Sequence, residues 1–261
     1  MLNTKTGTHM ITSQTALAAD MKHKLADAYD AIRSQAPWSH PKSPEISHHR
    51  VLPHATYSPW LLDDAFQDVY QRIKSHTLVD IYRCYELWTL GQQLSHVPGN
   101  FLEVGVWRGG TGALLAAAAQ ADRAKHVYLA DTFQGVVKAG GDDTVYVGGE
   151  HADTSPALVS DLLKGLGLSN FSLLEGIFPE QTAHGFQGTL ALLHCDVDVY
   201  SSAKGVVEWA LPMLSPGAAI VFDDYGFSGC EGVTKLANEL RTDKSLLFIH
   251  NLNGHAIFIK K

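Results

Sequence analysis

The chain has 261 residues, 45% of them hydrophobic, with 20 basic against 27 acidic side chains and a formal net charge of -7. That length carries one large domain, or one domain with an added terminal segment, around a sizeable core. The acidic excess argues against a general attraction to nucleic acid or anionic lipid.

Cys84, Cys195 and Cys230 are too scattered for a disulfide scaffold or a structural zinc site and fit a reducing cytosol. The opening MLNTKTGTHMITSQ lacks the basic start and apolar run of a secretion signal, and no apolar stretch reaches membrane-spanning length. A soluble cytoplasmic protein with no membrane or nucleic-acid partner is expected.

A helical pattern runs from Thr15 to Ile32 and is broken by APWSHPKSPEISHHRVLP, whose four prolines predict a loop. His40, His48, His49 and His54 sit in that loop without a fixed metal-ligand spacing. From Leu61 to Leu94, apolar residues such as Phe66, Val69, Ile73, Ile81, Tyr85 and Trp88 recur at three- and four-residue intervals, as in one or two amphipathic helices. Residues 1–95 therefore read as an arm and helical extension that covers an active site or contacts another subunit. They are compatible with a homodimer without establishing one.

A second rhythm fills residues 96–261. FLEVGV, HVYLAD, NFSLLEG, TLALLHCD and AAIVFDD read as buried strands. GGTGALLAAAAQAD, SPALVSDLLKGLG, SAKGVVEWALPML and CEGVTKLANELR read as the helices between and after them, and SLLFIHN and HAIFIKK as terminal strands around an NLNG turn. Alternating apolar strands and helices predict a doubly wound α/β sheet, with ligands beyond the carboxyl ends of its strands.

At the first such end, FLEVGVWRGGTG places Glu103 and Gly105 beside a glycine-rich turn suited to a nucleotide-like ligand. Trp107 stands where a dinucleotide fingerprint has its second glycine, and no Gly-Lys-Ser/Thr follows, so a nucleoside cofactor without a pyrophosphate fits better. Asp131 ends the second strand, where a carboxylate accepts from ribose hydroxyls or merely caps a turn. Glu175 and Gly176 end the third, placed to bracket an aromatic base. The long segment between Phe133 and Pro156, rich in glycine and acids, reads as a lid or a solvated excursion, and Lys138, Asp142, Asp143, Tyr146 and His151 receive no role.

Two apolar runs end in acids: LLHCDVDVYSS carries Asp196 and Asp198, and 27 positions after Asp196, AAIVFDDYG carries Asp223 and Asp224. One strand, crossover helix and strand bring both runs to the same rim. Carboxylates gathered there repel one another unless protons or a cation intervene, and oxygen ligands suit Mg²⁺ or Mn²⁺. Asp196, Asp223 and Asp224 are assigned to the metal, with Asp196 also beside the cofactor, and Asp198 is left as the candidate general base. Capping and turn formation are the bland alternatives for these acids. His194 reads as a packed, hydrogen-bonded strand residue, with a base or a hydrogen-bond partner of a metal ligand as the alternatives.

FLEVGVWRGGTG, LADTFQG, LLEGIFPEQT, LLHCDVDVYSS and LSPGAAIVFDDYGFSGCEGV, in this order and spacing, resemble the macrocin O-methyltransferase family. The resemblance implies a class I methyltransferase fold with a mostly parallel seven-stranded sheet. It implies S-adenosylmethionine around Glu103, Gly105 and Asp131, Mg²⁺ on Asp196, Asp223 and Asp224, and Asp198 as base. The implied reaction is direct methyl transfer to a sugar hydroxyl of a small-molecule glycoside, in antibiotic biosynthesis. A phenolic or catechol-like acceptor is the alternative.

Overall fold

The computed structural model describes residues 6–50, 57–121 and 125–261; His54 lies outside them. The chain divides into two compact units, residues 1–57 and 58–261. In the first, helix α1 spans Thr6–Arg33 and is followed by β1 (Trp38–His40) and β2 (Ser43–His48), an antiparallel pair. This hairpin replaces the loop expected from the prolines. Pro44 is tolerated in β2 because every strand of a two-stranded sheet has one free edge, where a missing N–H breaks no ladder.

The second unit opens with α2 (Asp64–Ile73) and α3 (Ile81–Leu94), each started by an aspartate. Asp63 accepts from Phe66 N at 2.9 Å, and Asp80 accepts from Tyr82 N at 2.9 Å and Arg83 N at 3.1 Å, satisfying helix N–H groups that have no partner within the helix. Then come β3 (Asn100–Val104), α4 (Gly110–Ala118), β4 (Val127–Asp131), α5 (Pro156–Gly165), β5 (Phe171–Glu175) and β6 (Leu190–Cys195). The chain ends with α6 (Tyr200–Ala210), β7 (Leu214–Phe222), α7 (Glu231–Leu240), β8 (Leu246–His250) and β9 (Ala256–Lys260).

The seven strands lie in the order β5-β4-β3-β6-β7-β9-β8. Only β9 runs against its neighbours, because the short turn after β8 returns the chain antiparallel. Along each central strand the side chains alternate between two cores. Phe101, Leu129, Leu192 and Val221 join Phe66, Leu87 and Leu114 on one face, so α2 and α3 share the core of the α/β unit. Leu102, Ala130, Leu193 and Ile220 join Val206 and Leu236 on the other. Each large apolar side chain buried in this way contributes roughly 1.5–3 kcal/mol.

The direction of strand addition reverses between β3 and β6, leaving a crevice beyond their carboxyl ends. Behind it, Glu103 and His194 are paired across these two strands inside the sheet, both fully buried, with Glu103 Oε1 2.8 Å from His194 Nδ1. Burying either alone would be costly; the mutual hydrogen bond offsets that cost.

Candidate active site

A cleft of about 230 Å³ occupies the crevice, lined from the ends of β3, β4, β6 and β7, the turn after β5, the turn before α3 and the segment between β4 and α5. At its β3 end Gly105 has φ +89°, and a Cβ there would lie 1.6 Å from the Asp196 carbonyl oxygen, so only glycine lets β3 and β6 approach this closely. Asp131 fastens the same corner. Its Oδ2 accepts from Val106 N at 2.7 Å and Trp107 N at 2.8 Å, and its Oδ1 from Phe133 N at 2.7 Å. Oδ1 keeps a further lone pair, so Asp131 faces the cleft as an acceptor whose orientation is already set.

Of the other residues expected around a nucleoside, Gly176 lines the cleft together with Ile177 and Phe178. Glu103 and Glu175 do not. Glu103 points into the sheet toward His194, and Glu175 turns to solvent at the end of β5. Glu103 lies one residue inside the end of β3, where its side chain meets the buried His194, and Glu175, although level with Asp131 in the sheet, is exposed.

Asp196, Asp198, Asp223 and Asp224 meet at the β6–β7 end. One oxygen from each of Asp196, Asp223 and Asp224 lies within 4.8 Å of the others. The sequence grouped these acids, but not the cation among them. Arg83, on the first turn of α3 and buried, bonds Asp223 Oδ2 through Nη1 and reaches Asp224 Oδ1 at 3.2 Å. Asp80 Oδ2 holds its Nε at 2.9 Å, and Phe227 covers its guanidinium at 4.7 Å.

Asp223 Oδ1 receives His255 Nε2 at 2.8 Å, with His194 Nε2 3.8 Å away. The far nitrogen of His255 is 2.6 Å from Glu86 Oε2 of α3. Burial works against charge on Asp223, but the two histidines and Arg83 outweigh it and hold its carboxyl well below the usual range. Burial also disfavours the His194 cation, yet Asp223 and Glu103 prevail and raise it to about 10.

The opposite holds for the neighbours. Burial, then Asp223 and Asp224, push the Asp196 carboxyl well above its ordinary value; burial, then Asp223 and Asp198, do the same to Asp224. Asp198 is also raised, chiefly by burial, and accepts from Tyr146 Oη at 3.0 Å. Four cleft residues other than glycine, Trp107, His151, Asp198 and Asp224, have φ between +45° and +63°, a costly conformation that concentrates at functional sites.

These residues fit a divalent cation. Among the described residues no hydrogen bond reaches the Asp196 carboxylate, and at this end of the cleft one guanidinium stands against four carboxyl groups. The ligand atoms of the Asp196, Asp223 and Asp224 cluster are all carboxylate oxygens, the chemistry Mg²⁺ or Mn²⁺ selects. His194, Asp223 and His255 also come within 4.8 Å of one another, but Asp223 Oδ1 is engaged by His255 and neither histidine lines the cleft.

Arg83, Glu86, His255 and Tyr146 were not assigned from the sequence. A trace of the first two was legible: IYRCYELW sets a basic and an acidic residue three positions apart in an otherwise apolar helix, where a buried partner is required.

The macrocin-O-methyltransferase (TylF) family model matches residues 63–261. The chain is 30% identical over 169 residues to the 8-demethyl-8-(2,3-dimethoxy-alpha-L-rhamnosyl)-tetracenomycin-C 4'-O-methyltransferase of Streptomyces olivaceus, covering 60% of this chain and 65% of that protein. It is 32% identical over 171 residues to the mycinamicin III 3''-O-methyltransferase of Micromonospora griseorubida, covering 60% of this chain and 67% of that one. The chain thus spans about two thirds of the length of these relatives. The solved O-methyltransferase NovP superposes with a TM-score of 0.63 at 26% identity, over 71% of this chain and 82% of its own. With the family model spanning nearly the whole α/β unit and the acid-lined crevice in place, the chain belongs to the macrocin-O-methyltransferase family.

Proposed function

We propose that the protein transfers a methyl group from S-adenosylmethionine to a sugar hydroxyl of a glycosylated natural product, with a divalent cation, Mg²⁺ or Mn²⁺, at Asp196, Asp223 and Asp224. The observation that carries this reading is one cleft with two differently built ends. A backbone cradle of Gly105, Asp131 and Gly176 suits a nucleoside, and a carboxylate cluster suits a cation and a hydroxyl. Relatives named for methylation of sugar-bearing natural products support the acceptor class.

On this reading the cofactor brings an electrophilic methyl, and the cation, when bound, makes an acceptor hydroxyl more acidic. The chain's own residues do the rest. Asp131 accepts from the ribose and fixes the turn beside it. Asp198, held by Tyr146, takes the acceptor proton at a carboxylate oxygen. Arg83, His255 and Glu86 keep Asp223 in place, so that much of the acceleration comes from alignment of oxygen and methyl. Buried thiols at Cys84, Cys195 and Cys230 agree with a reducing, cytoplasmic setting. No helix of the described residues is long and apolar enough to cross a membrane.

The test is transfer of labelled methyl from S-adenosylmethionine to a panel of glycosides and catechols with Mg²⁺ present and then chelated. Label on a glycoside sugar, lost on chelation, is expected. Label confined to catechols would move the acceptor to the phenolic class, and binding of nicotinamide cofactors alone would overturn the reading.

A further inference from the structure

Asp198 sits at an awkward place in the backbone. It has φ +63°, and α6 begins two residues later at Tyr200 with no side-chain cap from the N-cap residue, Val199. Something other than local sequence must hold the strand-to-helix turn. The partner comes from the segment between β4 and α5: Asp143 Oδ1 accepts from Tyr200 N at 2.9 Å, and its Oδ2 accepts from Gly140 N at 2.8 Å. Asp143 is only 6% exposed. A Cβ on Gly232 would lie 2.4 Å from Asp143 Oδ1 and 3.0 Å from Tyr200 N, so the start of α7 closes over the same bond.

The segment is tied down on both sides of Asp143. Thr144 Oγ1 donates to Glu231 Oε2 in α7, Ser202 Oγ of α6 donates to Val137 O at 2.8 Å, and Lys138 Nζ pairs with Glu180 at 2.5 Å. Three residues beyond Asp143, Tyr146 Oη donates to Asp198 Oδ1 at 3.0 Å. One stretch of chain therefore grips Asp198 twice, through its carboxylate and through the helix that carries it.

We propose that Asp143 and Tyr146 are positioning residues for Asp198, and that this stretch is a fixed roof of the cleft. The proposal rests on Asp198 being the base. Asp143 sets where α6 starts, and hence the unusual backbone of Asp198. Tyr146 orients the carboxylate through Oδ1.

The experiment uses the full chain with Asp143→Ala, Asp143→Asn and Tyr146→Phe. It reads hydrogen exchange of the Asp198–Ser202 peptide, S-adenosylhomocysteine affinity, and kcat against KM for the acceptor. Loss of a hydrogen bond to a charged group is expected to speed exchange of the Tyr200 amide about ten- to hundredfold in Asp143→Ala and to lower kcat by a similar factor. Asparagine can still accept at Oδ1, so Asp143→Asn is expected to restore most of both. Tyr146→Phe lowers kcat about tenfold with cofactor affinity unchanged. The proposal is overturned if Asp143→Ala leaves exchange unchanged, if Asp143→Asn is as impaired as alanine, or if Tyr146→Phe acts on cofactor affinity and spares kcat. The exchange arm needs no acceptor, so failure of wild-type protein to methylate any glycoside counts against the proposed reaction separately.

Discussion

At the β3 end of the cleft, Asp131 gathers three backbone N–H groups and locks the turns after β3 and β4. At the β6–β7 end, the Asp196 carboxylate meets no donor among the described residues, and Asp198 and Asp224 sit close enough to share a proton. The first end is complete before any ligand arrives. The second holds like charges together, relieved in part by Arg83 and beyond that by protons or a bound cation. A preformed cradle costs a ligand little reorganisation, whereas a crowded acidic site links binding to charge and to pH.

Breaking the finished end should have the largest effect. Gly105→Ala drives a methyl group into the Asp196 carbonyl and forces a residue with a Cβ to φ +89°. Destabilisation above about 4 kcal/mol is expected, with loss of soluble folded protein or of cofactor binding in a thermal-shift titration.

Next comes the cation already seated at the acidic end. Arg83→Met leaves Asp223 buried against Asp224 without its cation and should cost about 3–5 kcal/mol in urea unfolding. Excess Mg²⁺ should recover part of that loss, because it replaces the missing positive charge. Asp131→Ala is milder, about 1–3 kcal/mol, and should weaken S-adenosylhomocysteine binding while leaving cation affinity within about twofold.

The smallest effect sharpens the comparison through pH. Asp196 and Asp224 have raised values, so their contribution to stability is complete below about pH 3.8 and is lost as pH rises through their folded values. His194 acts in the same direction, its contribution complete below 6.5 and lost as pH rises through about 10. Asp223 is lowered, so its contribution is present above 3.8 and is lost only as pH falls through its folded value. Cation-free protein should therefore lose thermal stability from mildly acidic to alkaline pH, and Mg²⁺ should flatten the curve. A Tm that rises with pH in chelator would separate these groups from stability.

The α/β rhythm was legible because apolar runs, helix starts and turns repeat along the chain, and the sheet places Asp196, Asp223 and Asp224 together as that rhythm requires. The hairpin at Trp38–His48 was hidden because proline was read as a breaker where an edge strand accepts it. Glu103 and Glu175 were drawn to the ligand by position, and only the direction of each side chain removes them from the cleft. Arg83 and His255 lie 172 positions apart and meet on one carboxylate, a contact that no local spacing announces. Asp143 and Tyr146 were noticed without a role, since the α6 amide and the Asp198 carboxylate they serve lie more than 50 residues away.

The most direct measurement compares wild type and Asp198→Asn for methyl transfer to a glycoside at saturating S-adenosylmethionine, with cofactor and Mg²⁺ affinities determined on the same samples. Equal affinities with turnover reduced about 10²- to 10⁴-fold are expected of a positioned base at the acidic end of an otherwise intact cleft. Unchanged turnover, or a loss explained wholly by weaker cofactor binding, would contradict that assignment.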